Sequence, residues 1–396
     1  MFRKNLLTLL IYSLILISVF LMGIFTGIQI NPSNGIALKG SPAADVFEPI
    51  DRVWEIIHDQ YLNQPVDDTK LIQGALRGML DSLEDPYTAY MDSDEYRLQN
   101  TPLQGEYTGI GAWVDTTGEF LVIMSPMPDS PAEEVGIKPG DIVVKIDGED
   151  MTGFDPTVVL DRILGPAGTK ILITVRRESE TDLLDFEVER ALIPIPSVET
   201  ESLENQIGYL RLYTFGINSP DEVISALKDL KASGAIKLIL DLRNNTGGFV
   251  DSAVEITSAF INEGNIFIEE WGDGTRNEFK STGRPIDTDS PLVILVNEGS
   301  ASASEITAGA LQDYGRAKLI GTTTFGKGYI QNWIPLPDEY GAVRITIARW
   351  LTPNGRQIQG FGLTPDYPVQ LTENDIENQF DAQLDMAIKV LSDSVN

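Results

Sequence analysis

The spacing of hydrophobic and polar positions changes several times along the chain, and each change suggests a different kind of element. Residues 6–28 are uncharged and mostly apolar, and they follow Arg3 and Lys4. As a helix this run would span about 34 Å, enough to cross a bilayer. No small-residue cleavage pattern follows it, so residues 1–30 are expected to be an uncleaved signal-anchor or transmembrane helix. With Arg3 and Lys4 held in the cytoplasm, everything after Ile30 would lie outside. Residues 31–45, with their Pro, Ser, Gly and Ala, read as a linker.

From 46 to 100 the spacing is helical. Phe47, Ile50, Val53, Trp54, Ile57 and Tyr61 form one face, and Leu71, Ala75, Leu76, Met79 and Leu80 another, with Pro65 between the two helices. Asp85-Pro86-Tyr87-Thr88-Ala89-Tyr90 reads as a turn whose aromatic residues pack. Between 101 and 192 short β-branched runs alternate with glycine turns around one helix near 156–163. From 193 to 396 strands and helices alternate. Strands are expected at 207–212, 238–242, 291–296 and 341–350, and helices at 220–231, 251–260, 304–314 and 375–391. Two strand-turn-helix units in this region predict an α/β core with a crevice at the C-terminal ends of its strands.

The chemistry lies in the turns. Gly299 to Ser302 sits where a buried strand gives way to a helix, and the N–H groups at a helix start are unpaired and point outward. A serine there has oxyanion donors beside it, and three compete: Ser300, Ser302 and Ser304. Lys327 follows 25 residues after the middle one, in the glycine-flanked segment Phe325-Gly326-Lys327-Gly328-Tyr329. The other unit ends in Arg243-Asn244-Asn245-Thr246-Gly247-Gly248. Its glycines would suit a phosphate or an oxyanion equally, and no Gly-Lys-Ser/Thr follows to favour phosphate.

Composition narrows the choice. The chain has no cysteine and one histidine, His58, on an amphipathic helical pattern remote from the serines. Cysteine proteases are excluded, a Ser-His-Asp triad is unsupported, and lysine remains as the base for a serine. Zinc sites built on His and Cys are disfavoured, carboxylate-only sites stay open, and no cofactor or metal is called for. With 29 basic and 59 acidic residues the formal net charge is −30, which argues against nucleic acid and against a basic membrane-binding patch. The length implies two or three domains.

Within 101–192, Gly109-Ile110-Gly111-Ala112, the run from Ser130 to Gly148 and the helix near 156–163 resemble a PDZ domain of the kind found in bacterial processing proteases. That likeness makes the loop Gly109, Ile110, Gly111 and Ala112 a candidate cradle for a terminal carboxylate, its strand edge being free to pair with an extended peptide. The bland alternative is that the glycines only permit a tight turn. Ser300-Ala301-Ser302-Ala303-Ser304-Glu305, Thr324-Phe325-Gly326-Lys327-Gly328 and Gln331 extend the resemblance. With Asp85-Pro86, the segment from Asp241 to Gly248 and the turn Pro353-Asn354-Gly355, they resemble the C-terminal processing (tail-specific) peptidases, serine proteases of the cell envelope.

The resemblance runs from about Val46 to the end and implies a multidomain α/β (α+β) fold. It would have an N-terminal helical segment at 46–100, an inserted PDZ domain at 101–192 and a crotonase- and ClpP-like βα protease core at 193–396. It implies Ser302 as nucleophile, Lys327 as general base, Gln331 as the residue orienting that lysine, and Ala303 with Gly247 as oxyanion hole. The protein partners implied are substrates with free C-termini, the membrane partner is reached through the first helix, and a homo-oligomer stays open. The location implied is the bacterial envelope, outside the cytoplasm. Two positions depart from the family pattern: Leu164 stands where arginine is common, and Thr246 where proline or glycine is. Two other functions compete with proteolysis, a catalytically silent PDZ scaffold on the membrane and a crotonase-like acyl transferase. The serine-lysine pair argues against both.

Overall fold

The computed structural model describes residues 42–337 and 340–393. The expected anchor at 1–30 therefore lies outside the described residues, and no helix among the described residues is long and apolar enough to cross a membrane. The chain divides into two compact units, Met1–Leu71 and Ile72–Asn396.

In the first unit the helix Pro42–Gln60 leaves Phe47, Ile50, Val53 and Tyr61 exposed, although their spacing suggests a buried face. His58 is structural there. Its ring nitrogens donate to Trp54 O at 2.9 Å and Asp68 Oδ1 at 2.8 Å, and both bonds hold the imidazole above its ordinary pKa.

The second unit is built on a six-stranded sheet in the order Val198–Leu203, Ile207–Leu212, Lys237–Asp241, Leu292–Val296, Ala317–Gly321 and Tyr367–Pro368. Only the first pair is antiparallel. Every residue of the two central strands, Lys237–Asp241 and Leu292–Val296, is buried, as expected of parallel strands covered on both faces. Alternation sends Leu238, Leu240, Leu292, Ile294 and Val296 to one face, under the helices Ser219–Ala232, Val250–Ser258 and Ala303–Asp313. Ile239, Val293 and Leu295 face the other way, where Ala387 and Leu391 of the helix Ala382–Asp393 cover them. The strands at the heart of the sheet thus run with their C-terminal ends side by side, Asp241 opposite Leu295.

A second, five-stranded sheet, made of Ala89–Met91, Asn265–Trp271, Arg276–Lys280, Tyr329–Pro335 and Ala342–Leu351, brings residues distant in sequence to the same edge of the core. An inserted β unit interrupts the path before the core. Its strands Ala112–Asp115, Val122–Pro126, Ile142–Ile146, Lys170–Arg176 and Leu184–Glu189 form one sheet, packed on the helix Pro156–Ile163 through Val159 and Ile163. The chain enters it along Glu106–Gly109 and leaves along Ala191–Pro194, and those two strands pair antiparallel.

One expected element breaks in two. The helix foreseen at 375–391 is a short turn, Glu373–Glu377, and a longer helix, Ala382–Asp393. Gln379 takes a left-handed φ of 54°, and Asp381 Oδ1 then accepts the N–H groups of Gln383 at 3.2 Å and Leu384 at 3.0 Å, capping the second helix. The same aspartate also pairs with Arg243, whose guanidinium is held by buried Asp241 at 2.6 Å. The C-terminal helix thereby clamps the turn that follows the strand Lys237–Asp241.

Candidate active site

The two strand ends open into turns that are stitched together. Asn244 N donates to Asn297 Oδ1 at 2.8 Å, and Asn297 Nδ2 returns a bond to Asn244 Oδ1 at 2.9 Å. Ala301 N donates to Asn245 O at 3.0 Å, and Asn245 Nδ2 reaches Leu212 O at 2.7 Å on the neighbouring strand. This stitching separates the three serines. Ser300 Oγ donates to Leu242 O at 2.8 Å and Ser304 Oγ to Asn245 O at 2.8 Å, both from buried positions. Ser302 lies between them, partly exposed, and its side chain forms a capping box with Glu305 across the first turn of the helix.

The backbone of Ser302 is unusual. It caps the helix Ala303–Asp313 with φ 56° and ψ −115°, a left-handed conformation that costs a residue bearing a Cβ about 1–3 kcal/mol. The Ala303 N–H, first of the helix, has no hydrogen-bond partner among the described residues. Gly247 packs against it so closely that a Cβ there would lie 2.9 Å from Ala303 N and 2.9 Å from Ser302 Cβ.

Of the glycine pair, Gly247 N is occupied, donating to Asn245 Oδ1 at 2.9 Å. The N–H of Gly248 has no partner among the described residues. The sequence does not separate these glycines, because the choice depends on which amide the Asn245 side chain takes. Gly248 has φ 148°, and a Cβ on it would meet Phe215 O at 2.4 Å, where Phe215 and Phe249 exchange a backbone bond of 2.8 Å. Gly248→Ala is therefore expected to lower the melting temperature and to reduce any activity of this site by about 100-fold or more, read by thermal melting and peptide cleavage.

Lys327 is brought to Ser302 by a residue the sequence hides in plain view. Glu305, fully buried, accepts from Ser302 N at 2.9 Å and Lys327 N at 2.9 Å on one oxygen. Its other oxygen accepts from Gly326 N at 2.7 Å and Thr324 Oγ1 at 2.5 Å. One carboxyl thus ties the backbone of the serine turn to that of the lysine loop. Burial pushes the Glu305 carboxyl up from its ordinary pKa, against the four donors, which favour the anion. Three of those partners are backbone N–H groups that can only donate, so the anion is the form that satisfies the pocket. The signal was available: Ser302-Ala-Ser-Glu305 is a capping-box pattern.

The functional atoms stand apart. Burial pushes the Lys327 ammonium below its ordinary pKa, the Arg344 guanidinium lowers it further, and Glu305 opposes both. Its Nζ lies 5.7 Å from the centre of the Tyr87 ring and makes no hydrogen bond to Ser302 among the described residues. Gln331, at a bulge in the strand Tyr329–Pro335, donates to Thr346 Oγ1 at 3.4 Å and not to Lys327. Phe325, two residues before the lysine, is exposed. The cover comes from the Asp85–Thr88 turn and from Arg344, which composition and local spacing do not bring near the lysine.

In the inserted unit, Gly109 and Ile110 are buried and the loop is closed by two bonds: Ala132 N donates to Ile110 O at 2.9 Å and Met127 N to Gly111 O at 2.9 Å. Leu164 packs beside it, 3.2 Å from where a Gly109 Cβ would lie. No group of metal-ligating side chains gathers among the described residues.

Comparison with known proteins agrees with this organisation. Residues 206–369 match the model of peptidase family S41, residues 122–177 that of a PDZ domain, and residues 29–95 that of the activating protease CtpB N-terminal domain. A carboxy-terminal-processing protease of Bartonella bacilliformis is 39% identical over 324 residues, 80% of this chain and 74% of that protein. The carboxy-terminal processing protease CtpA of Bacillus subtilis is 33% identical over 365 residues, 92% of this chain and 78% of that one. Among solved structures, a photosystem II D1 C-terminal processing protease aligns with a TM-score of 0.47 and 29% identity, over 82% of this chain and 91% of that chain. With relatives of this similarity matched over most of their length, the chain belongs to peptidase family S41, among the carboxy-terminal processing serine proteases.

Proposed function

We propose that the protein is an endopeptidase that cleaves polypeptides near their C-termini, with Ser302 as nucleophile and Lys327 as general base. The observation that carries this reading is the shared carboxyl of Glu305, which holds the backbones of Ser302 and Lys327 to one point while the Ser302 side chain stays partly exposed between two buried serines. Neutral Lys327 Nζ takes the proton from Ser302 Oγ as that oxygen bonds to the scissile carbonyl carbon. The N–H groups of Ala303 and Gly248 face the oxyanion that forms. The C–N bond then breaks, and Lys327 returns the proton to the leaving amine. Water attacks the resulting ester with Lys327 again as base, which releases the new C-terminus and restores the Ser302 hydroxyl.

In this reading Lys327 leaves the Tyr87 ring for Ser302 while its main chain stays tied to Glu305. Gln331 then leaves Thr346 to orient the lysine. The inserted unit, residues 101–192, is proposed to hold the substrate's terminal carboxylate on the loop from Gly109 to Ala112, feeding the core at 193–396. The activity is assigned to the cell envelope outside the cytoplasm, with residues 1–30 as anchor.

A pair of substrates tests the reading. An unstructured polypeptide with a free apolar C-terminus is expected to be cut near that end by the wild type and not by Ser302→Ala. The same polypeptide with an amidated end is expected to be cut at least about tenfold more slowly. Cleavage by Ser302→Ala would overturn the nucleophile, and equal rates on the two ends would overturn tail capture.

A further inference from the structure

Local spacing reads the turn Asp85-Pro86-Tyr87-Thr88 as packing aromatics, yet in the folded chain it reaches both Lys327 and Thr346, the residue that holds Gln331. Lys327 Nζ lies over the Tyr87 ring at 5.7 Å, inside the reach of cation–π attraction. The ring is fixed from several sides. Tyr87 N donates to Asp85 Oδ1 at 3.0 Å, and Tyr87 O accepts from Arg344 Nε at 2.9 Å. Its hydroxyl accepts from Gln359 Nε2 at 3.3 Å, and Tyr329 meets the ring edge-on at 5.9 Å. Gln359 in turn accepts Gly328 N at 2.8 Å, so ring and lysine loop are braced by one side chain. From the same turn, Thr88 Oγ1 donates to Asp85 Oδ2 at 2.7 Å and accepts Thr346 N at 3.0 Å. Thr346 is the residue that holds Gln331.

We propose that the face of Tyr87 is the resting seat of the Lys327 ammonium, which makes Tyr87 a positioning residue that sets the pH at which the base becomes available to Ser302. The proposal rests on the serine-lysine reading above. A fixed ring can hold the lysine cation but not the neutral amine, because the ring quadrupole attracts only charge. The charged groups that face the lysine divide around it. Glu305 favours the ammonium, Arg344 opposes it, and Asp85 faces Arg344 from the turn. Burial lowers the lysine's pKa but gives the side chain no direction. The ring gives the cation a defined place from which losing its proton frees it to rotate.

The test is the pH dependence of kcat/KM on a tail peptide, measured on the full chain. The proteins compared are the wild type, Tyr87→Phe, Tyr87→Leu, and a form carrying 3,4,5-trifluorophenylalanine at position 87. Phe keeps the ring face, whereas Leu and the fluorinated ring remove its negative face with little change in bulk. The acid limb of Tyr87→Phe is expected to match the wild type. Those of Tyr87→Leu and the fluorinated form are expected to move down by about half to one pH unit. One unit below the wild-type midpoint, their activity relative to plateau then rises about three- to fivefold. Coincident acid limbs, or an upward move, would overturn the proposal. If Tyr87→Leu fails to fold, the Phe and trifluoro forms, which share one shape, decide it. Activity surviving Lys327→Ala sinks the dyad itself. With Lys327→Ala inactive, an unmoved midpoint sinks only the seat.

Discussion

Lys327→Ala is expected to lower kcat/KM by about 10⁴-fold or more, and Lys327→Arg to restore none of it. The loss comes from chemistry and not from unfolding. A guanidinium fills the site but keeps its proton at any workable pH, so it cannot accept one from Ser302. Stability should move the other way. The folded-state pKa of Lys327 lies below its unfolded value, with burial as the first cause and Arg344 as the second. Folding therefore disfavours the protonated form of this lysine relative to the unfolded chain. The cost is complete below the folded pKa and disappears as pH rises past the unfolded value near 10.5. Lys327→Met, apolar and similar in length, is expected to melt higher than the wild type at pH 7. That advantage should shrink as the pH approaches the ordinary lysine value. A Met variant that cleaves peptide, or whose thermal advantage holds constant across that range, would refute this account.

Glu305→Gln is expected to remove about 2–5 kcal/mol of stability and at least about 100-fold of activity, although it changes a single atom. Each carboxyl oxygen accepts two donors, Gly326 N and Thr324 Oγ1 on one, Ser302 N and Lys327 N on the other. An amide must turn its NH₂ towards one of these pairs, leaving buried N–H groups facing a donor at about 1–3 kcal/mol each. Either the strained turn at Ser302 relaxes or the lysine loop moves away, and both spoil the site. Denaturant midpoints together with cleavage rates read the two effects. A Gln variant with wild-type stability and rate would show that the shared carboxyl is dispensable.

The architecture was legible where strands are buried on both faces or punctuated by glycine. The strands Ile207–Leu212 and Lys170–Arg176 and the helix Pro156–Ile163 fall where the apolar spacing places them. The strands Val198–Leu203, Arg276–Lys280 and Tyr329–Pro335 were not legible, because their residues are exposed or only half-buried and carry no strong alternation. In the candidate site, the turns bearing Ser302 and Lys327 stand out in the sequence because glycines and small residues cluster there. The residues around them do not. Tyr87 and Arg344 reach the lysine only because Ala89–Met91 pairs with Ala342–Leu351, across some 250 residues of chain, and no local pattern encodes that pairing. The choice between Gly247 and Gly248 likewise depends on one asparagine side chain.

The paired strands Glu106–Gly109 and Ala191–Pro194 make the inserted unit a graft on a two-stranded stalk. At the base of that stalk Gly105 O accepts Ile195 N at 2.8 Å, and Leu103 O accepts Ile217 N at 2.8 Å. Ile217 lies two residues beyond Phe215, whose backbone brackets Gly248. Between them stands Gly216, packed so closely on the base of the stalk that a Cβ would lie 2.9 Å from Leu103 O.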